Sequence, residues 1–166
     1  MSAVSGTNQR YVQLAATGAA AILLVQAAHM VEHVAQVVQK FILHMPAAHG
    51  LLGSIFDLEW VHFVYNTVLY AAFLAVYAWY RRAVPGRVPF AMRGVLWLQG
   101  YHVVEHLVKM YQYYALGITV GPKGILGFFV PLIWLHFFLN LLVLILLVGI
   151  YRGTRAAVPQ PAQAVA

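Results

Sequence analysis

From Gly124 to Tyr151 the chain runs through 28 residues without an Asp, Glu, Lys or Arg. A helix of about 20 mostly apolar residues crosses the hydrocarbon of a bilayer, so this stretch is long enough to span one. His136 and Asn140 are its only strongly polar members. Inside lipid the backbone must satisfy its own hydrogen bonds, which leaves helices or a closed barrel as the possible folds. Tyr11 to Val31 reads as a second helical span, interrupted by Gln26 and His29, and Val61 to Tyr80 as another, with His62, Asn66 and Thr67 as polar members. Phe90 to Leu116 holds Arg93, Glu105 and Lys109 and is the weakest by hydropathy. It counts as a span because it repeats the first one.

Composition agrees. Apolar side chains make up 63% of the 166 residues and charged ones 8%, against about 45–50% and about 25% in ordinary soluble domains. Four acids (Glu32, Asp57, Glu59, Glu105) stand against ten Lys and Arg and eight His. So few charges cannot cover a water-soluble globule of this size, and they exclude a nucleic-acid-binding face, which needs a basic patch. The absence of cysteine excludes disulfides, thiolate metal sites, iron–sulfur clusters and c-type haem attachment. The expected class is an all-α integral membrane four-helix bundle with the lipid bilayer as its surroundings.

The basic residues set the expected orientation. Arg81, Arg82, Arg87 and Arg93 lie between the second and third spans, Arg10 precedes the first, and Arg152 and Arg155 follow the last. The other connections hold scattered charge only, with Lys40 and Lys109 near helix ends and Lys123 in a loop. Positive-inside bias then places both termini and the middle loop in the cytoplasm, and a bacterial cytoplasmic membrane is the expected location. The amino-terminal run has no signal-peptide cleavage pattern. The expected organisation is a cytoplasmic segment 1–10, a helical pair 11–80, a basic loop 81–89, a second helical pair 90–151 and a flexible tail 152–166.

The two pairs repeat one another. VQAAHMVEH from Val25 to His33 matches LQGYHVVEH from Leu98 to His106 at a shift of 73. WVHFVYN from Trp60 to Asn66 matches WLHFFLN from Trp134 to Asn140 at a shift of 74, as HGLLG from His49 matches KGILG from Lys123. Hydropathy alone would let polar identities drift, yet Gln, His, Glu and His recur on one helix and Trp, His and Asn on the next. Units with an even number of spans share one orientation, so two tandem two-helix repeats imply a pseudo-twofold axis along the membrane normal.

At 100° per residue Gln26, His29, Glu32 and His33 share one face, and Gln99, His102, Glu105 and His106 share another. Gln36 and Lys109 extend these faces by a turn. On the partner helices His62 aligns with Asn66, and His136 with Asn140. Glu59 joins the first of these faces, but its counterpart is Ile133, so the halves differ there. The polar faces should meet in the bundle interior, between mid-bilayer and the outer surface.

Lone histidines in membrane helices usually make interhelical hydrogen bonds. Here six histidines and two glutamates at matched positions need one satisfied network, and each intramembrane Glu costs on the order of 2.5–3.5 kcal/mol. A bound cation satisfies them most directly; a metal-free polar or proton-relay network is the alternative. His29, Glu32, His33, His62, His102, Glu105, His106 and His136 are the candidate metal ligands, with Glu32 and Glu105 also candidates for catalytic bases. Gln26, Gln99, Asn66 and Asn140 lie beside them, either orienting imidazoles or bonding helix to helix. His44 and His49 read as surface histidines, Asp57 and Glu59 as solvated acids with Glu59 a possible extra ligand, and Trp60, Trp97, Tyr101 and Trp134 as packing or aromatic-belt residues. Ligands without sulfur suit iron, zinc, manganese or copper(II).

H-x-x-E-H is the ligand pattern of inverted zinc peptidases, and paired carboxylates and imidazoles in a bundle follow the logic of di-iron proteins with the Glu-x-x-His order reversed. Through His29-Met30-Val31-Glu32 and His102-Val103-Val104-Glu105 the chain resembles the small bacterial membrane proteins of the HXXEE-motif family, with His33 and His106 where that family has a second Glu. The resemblance implies a bacterial membrane protein of four spans and assigns no activity. The histidine-rich sites are also similar in chemistry to those of membrane desaturases and hydroxylases, whose H-x-x-H-H box is absent.

The leading functional expectation is a membrane metalloprotein with about two ions per chain, iron favoured and zinc or copper as alternatives. It would perform redox or O₂-dependent chemistry on an apolar or lipid-like small molecule. The competing expectations are a haem-binding electron carrier or small subunit of a larger membrane oxidoreductase complex, a transition-metal carrier, and a zinc-dependent membrane hydrolase.

Overall fold

A computed structural model describes residues 6–158 apart from Ser54, Phe56, Asp57 and Arg87. Four helices account for most of them: α1 (Gly6–Phe41), α2 (Leu58–Ala83), α3 (Phe90–Tyr114) and α4 (Leu132–Ala156), with a single 3₁₀ turn at Leu126–Phe128 before α4. No strand occurs among the described residues. The helices form a ring in which α1 packs on α2 and α4, and α3 packs on the same two. The α1–α2 and α3–α4 loops therefore lie at one end of the bundle, and the α2–α3 turn lies with the start of α1 and the end of α4 at the other.

The boundaries move from those expected, for local reasons. α1 continues ten residues past Val31 because no Gly or Pro interrupts it before Pro46. α4 starts at Leu132, not Gly124: Gly124 is left-handed (φ 69°) and Pro131 stands at the N-cap, so the intervening residues form a turn. At the far end α4 runs through Ala156, so the stretch expected as a flexible tail is helical up to there. The rest of that tail beyond Val158, like Asp57 and Arg87, lies outside the described residues.

α1, α2 and α4 are long and apolar enough to cross a membrane. α3 is 25 residues long but fails on composition, and its burial pattern explains why. Gln99, His102, Glu105, His106, Lys109 and Gln112 on α3 are all buried, so its polar content faces the other helices. Large apolar side chains face outward instead, among them Leu24, Val68, Phe90 and Trp97, the last 80% exposed. Such a surface suits lipid.

The interior has two layers. Toward the chain ends it is apolar, built from Ala15, Ala19 and Ile22 of α1, Leu69, Phe73 and Val76 of α2, Met92 and Val95 of α3, and Val143, Leu147 and Ile150 of α4. Helices approach closely here; a Cβ on Gly18 would stand 2.6 Å from Val76. Toward the loops the interior turns polar, and there the histidines gather.

Candidate metal centre

His29 and His33 are four apart on α1, as are His102 and His106 on α3, so each pair stacks on one helix face. Their Nε2 atoms approach to 3.0 Å in the first pair and 3.2 Å in the second. Two imidazole nitrogens held tetrahedrally on one ion at about 2.0–2.1 Å stand about 3.3 Å apart, so both pairs already have nearly the spacing of shared ligation. His62, one turn into α2, completes a three-imidazole group with His29 and His33. His136, one turn into α4, does the same with His102 and His106. Within each group the nitrogens lie within 4.8 Å of one another.

The two groups touch. His62 stacks on His106 with centroids 5.6 Å apart, and His33 lies 6.1 Å from His136. Inside the second group His106 and His136 stack at 5.1 Å. Five of the six rings are buried; His29 is partly exposed and stacks on Tyr65 at 4.1 Å. His33 Nδ1 stands 3.0 Å from Gln36 Oε1, and its Nε2 stands 3.0 Å from both His29 Nε2 and Asn140 Nδ2. Among the described residues His136 Nε2 and His102 Nδ1 are buried without a hydrogen-bond partner, and an orphaned buried imidazole nitrogen is an unmet demand for a proton or a cation. The donor set therefore fits metal ions.

The glutamates bond the loops. Glu32 accepts the backbone N–H groups of Leu51 (2.9 Å) and Leu52 (3.0 Å), and Glu105 those of Ile125 (2.9 Å) and Leu126 (3.2 Å). Both carboxylates thus hold a loop, and neither belongs to the two groups that could hold an ion. Glu32 and Glu105, expected as ligands or bases, are engaged by loop amides. A buried carboxylate is satisfied by several amide donors as well as by a metal, and spacing along a helix cannot separate the two.

Each latch has a second strand. Gln39 bonds both the N–H (2.7 Å) and the C=O (2.9 Å) of Gly50, and Gln112 does the same to Gly124 (2.8 and 3.0 Å). Gly50 and Gly124 are left-handed, at φ 78° and 69°, and a Cβ on either would strike the carboxylate behind it. Sequence reasoning missed both glutamines, although they match at the same shift of 73 as the histidines.

The four amide residues form a layer between the imidazoles and the apolar core. Gln26 Nε2 donates to Asn140 Oδ1 at 2.9 Å, and Gln99 Nε2 to Asn66 Oδ1 at 2.8 Å. Asn66 and Asn140 in turn donate to the carbonyls of His62 and His136, each at 2.8 Å. Each Gln therefore bonds an Asn of the other half of the chain, and only Asn140 also reaches a ring, at 3.0 Å from His33 Nε2. Of the remaining expectations, His44 and His49 are exposed. Glu59 is not merely solvated: its Oε1 pairs with buried Lys109 at 2.7 Å, and its Oε2 stands 4.0 Å from His106 Nδ1. Tyr101 is more than a packing residue, since it donates to Glu105 at 2.7 Å.

Two cavities meet the groups. One, of about 440 Å³, opens sideways between α1 and α2; Val25, Ala28, Val61 and Tyr65 line it, and it reaches His29 and His62. The other, of about 250 Å³, lies under the loops and is polar, with Glu59 and Lys109 beside His33, His62, His106 and His136. No family model, curated protein or solved structure matches this chain, so the reading of the site rests on its own residues.

Proposed function

We propose that this chain is an integral membrane metalloprotein that holds two transition-metal ions in a six-imidazole centre and performs redox chemistry on an apolar small molecule. The observation that carries the proposal is the pair of three-histidine groups, each with two Nε2 atoms at ligand spacing. Support for four spans comes from α3 lying in the same ring as three membrane-length helices with Glu105 and Lys109 buried inward. Support for a pseudo-twofold relation between the halves comes from the matched bonds of Glu32 and Glu105, Gln39 and Gln112, and Gln26 and Gln99. The cytoplasmic placement of both termini rests on Arg81, Arg82, Arg93, Arg152 and Arg155 at the end of the bundle away from the histidines.

The donor chemistry shifts the choice of ion. Di-iron bundles use carboxylates as ligands, and here both glutamates are engaged by loop amides. Imidazole-only groups suit copper and zinc as well as iron, and redox chemistry then favours copper over zinc. A zinc hydrolase has less support because both candidate bases accept backbone hydrogen bonds. Haem has less support because the rings pack on one another at 4.6–6.3 Å with no slot for a macrocycle.

Elemental analysis and an absorption spectrum of the detergent-purified full chain test the proposal. About two copper or iron ions per chain are expected, lost when His33 and His106 are both replaced by Ala. A wild-type chain that takes up no metal from a mixture of copper, iron and zinc would overturn it.

A further inference from the structure

The two halves match at all six clustered histidines, yet they differ on the flank of the α1 and α3 motifs. Ala28 precedes His29 on α1, whereas Tyr101 precedes His102 on α3. Tyr101 bonds Glu105 one turn further along at 2.7 Å, so its ring lies along the flank that the methyl group of Ala28 leaves open. On the first half that open flank is the cavity of about 440 Å³, which lies against Val25, Ala28 and Val61, all exposed on the outer surface of the bundle. His29 is partly exposed, whereas His102 has no exposed surface at all.

We infer that the cavity between α1 and α2 is the binding site for an apolar small molecule with one donor atom at its end, arriving sideways from the bilayer and reaching only the first histidine group. The volume lies in the range that holds drug-sized ligands. Its walls are mostly aliphatic, with the Tyr65 ring along one side, and its polar members are His29, His62 and the loop-bonded Glu32. Tyr65 donates its hydroxyl to Gln26 Oε1 at 3.0 Å, which fixes the ring as a wall. Its rim carries exposed Val25, Ala28 and Val61 of the helices with Leu51 and Leu52 of the loop, so the site selects a molecule that partitions into hydrocarbon and presents its polar end inward. The first group is the one that meets this molecule, and the second, closed by Tyr101, does not touch it.

The inference rests on the metal reading for what the donor atom meets; the cavity does not depend on it. The probe is a fluorophenyl-substituted imidazole added to the full chain in detergent, followed by fluorine NMR on metal-loaded and metal-free protein. Wild-type protein is expected to bind about one probe per chain. Ala28→Tyr, which copies the second half, is expected to abolish binding while metal content stays unchanged. Tyr101→Ala is expected to open the matching flank on α3 and add a second probe site. Unchanged binding in Ala28→Tyr together with no gain in Tyr101→Ala would overturn the inference. Should Ala28→Tyr fail to fold, the gain in Tyr101→Ala decides alone. Failure of the metal reading appears separately, as probe binding with no metal in the elemental analysis.

Discussion

The two halves of the bundle carry the same six-residue polar set on α1–α2 and α3–α4, but they are finished differently. In the first half His33 leans on the neutral Gln36, and the flank beside His29 is open. In the second half Lys109 takes the place of Gln36, and it pairs with Glu59 reaching across from α2. Tyr101 takes the place of Ala28 and closes the flank. The difference teaches that identical histidine sets need not have equivalent surroundings. One is accessible and neutral at its edge; the other is enclosed and carries an ion pair beside His106.

The largest expected effect that separates the halves concerns the metal. His62→Ala and His136→Ala should each lower metal content by about half, since three-histidine sites rarely hold an ion with one ligand gone. The ion of the open first group should leave first when a chelator is added. Wild-type loss should therefore be two-phased by elemental analysis over time, with only the fast phase left in His136→Ala. A single phase in the wild type would make the halves equivalent after all.

Next come the loop latches. Gly124→Ala must carry a left-handed φ, worth roughly 1–2 kcal/mol, and must also push Glu105 off its amide donors. Charged hydrogen bonds are worth about 1.5–3 kcal/mol each, so a total loss of about 3 kcal/mol or more is expected in detergent unfolding. Gly50→Ala should lose less, because Glu32 keeps 7% exposure where Glu105 has none. Equal losses would remove this asymmetry.

The ion pair comes third. Lys109→Ala leaves Glu59 beside a buried histidine, and because Glu59 is 21% exposed the expected destabilisation is about 2 kcal/mol, below the range for fully buried pairs. Giving each partner the residue of its counterpart in the other half, Lys109→Gln and Glu59→Ile together, should recover most of it. A double-mutant cycle with no coupling would show that the pair contributes nothing.

The smallest effect is that of Tyr101→Phe, about 1 kcal/mol for one hydroxyl bond. It should leave probe stoichiometry at the wild-type value because the ring still fills the flank. A second probe site in this variant would show that the hydroxyl, not the ring, closes the second half.

Much of this was legible in the chain. The uncharged run through α4 and the scarcity of acids pointed to a membrane bundle, and helical periodicity grouped His29 with His33 and His102 with His106. Gln39 and Gln112 were equally legible as a repeat match, but a glutamine in a helix carries no sign of whether it bonds a loop. Pairing Gln26 with Asn140, not with an amide of its own half, was not legible. It depends on α1 lying against α4 as well as α2.

The sequence by itself determined which residues share a helix face, because that follows from the 3.6-residue period and needs no partner. It therefore settled that six histidines lie on four faces that could converge. Only the tertiary structure decided what those faces meet. The carboxylates of Glu32 and Glu105 take loop amides as partners, and left-handed Gly50 and Gly124 bring those amides within their reach. Whether a flank is open or shut likewise depends on the volume left when two helices and a loop close together, a quantity that belongs to the packed bundle and to no single segment of the chain.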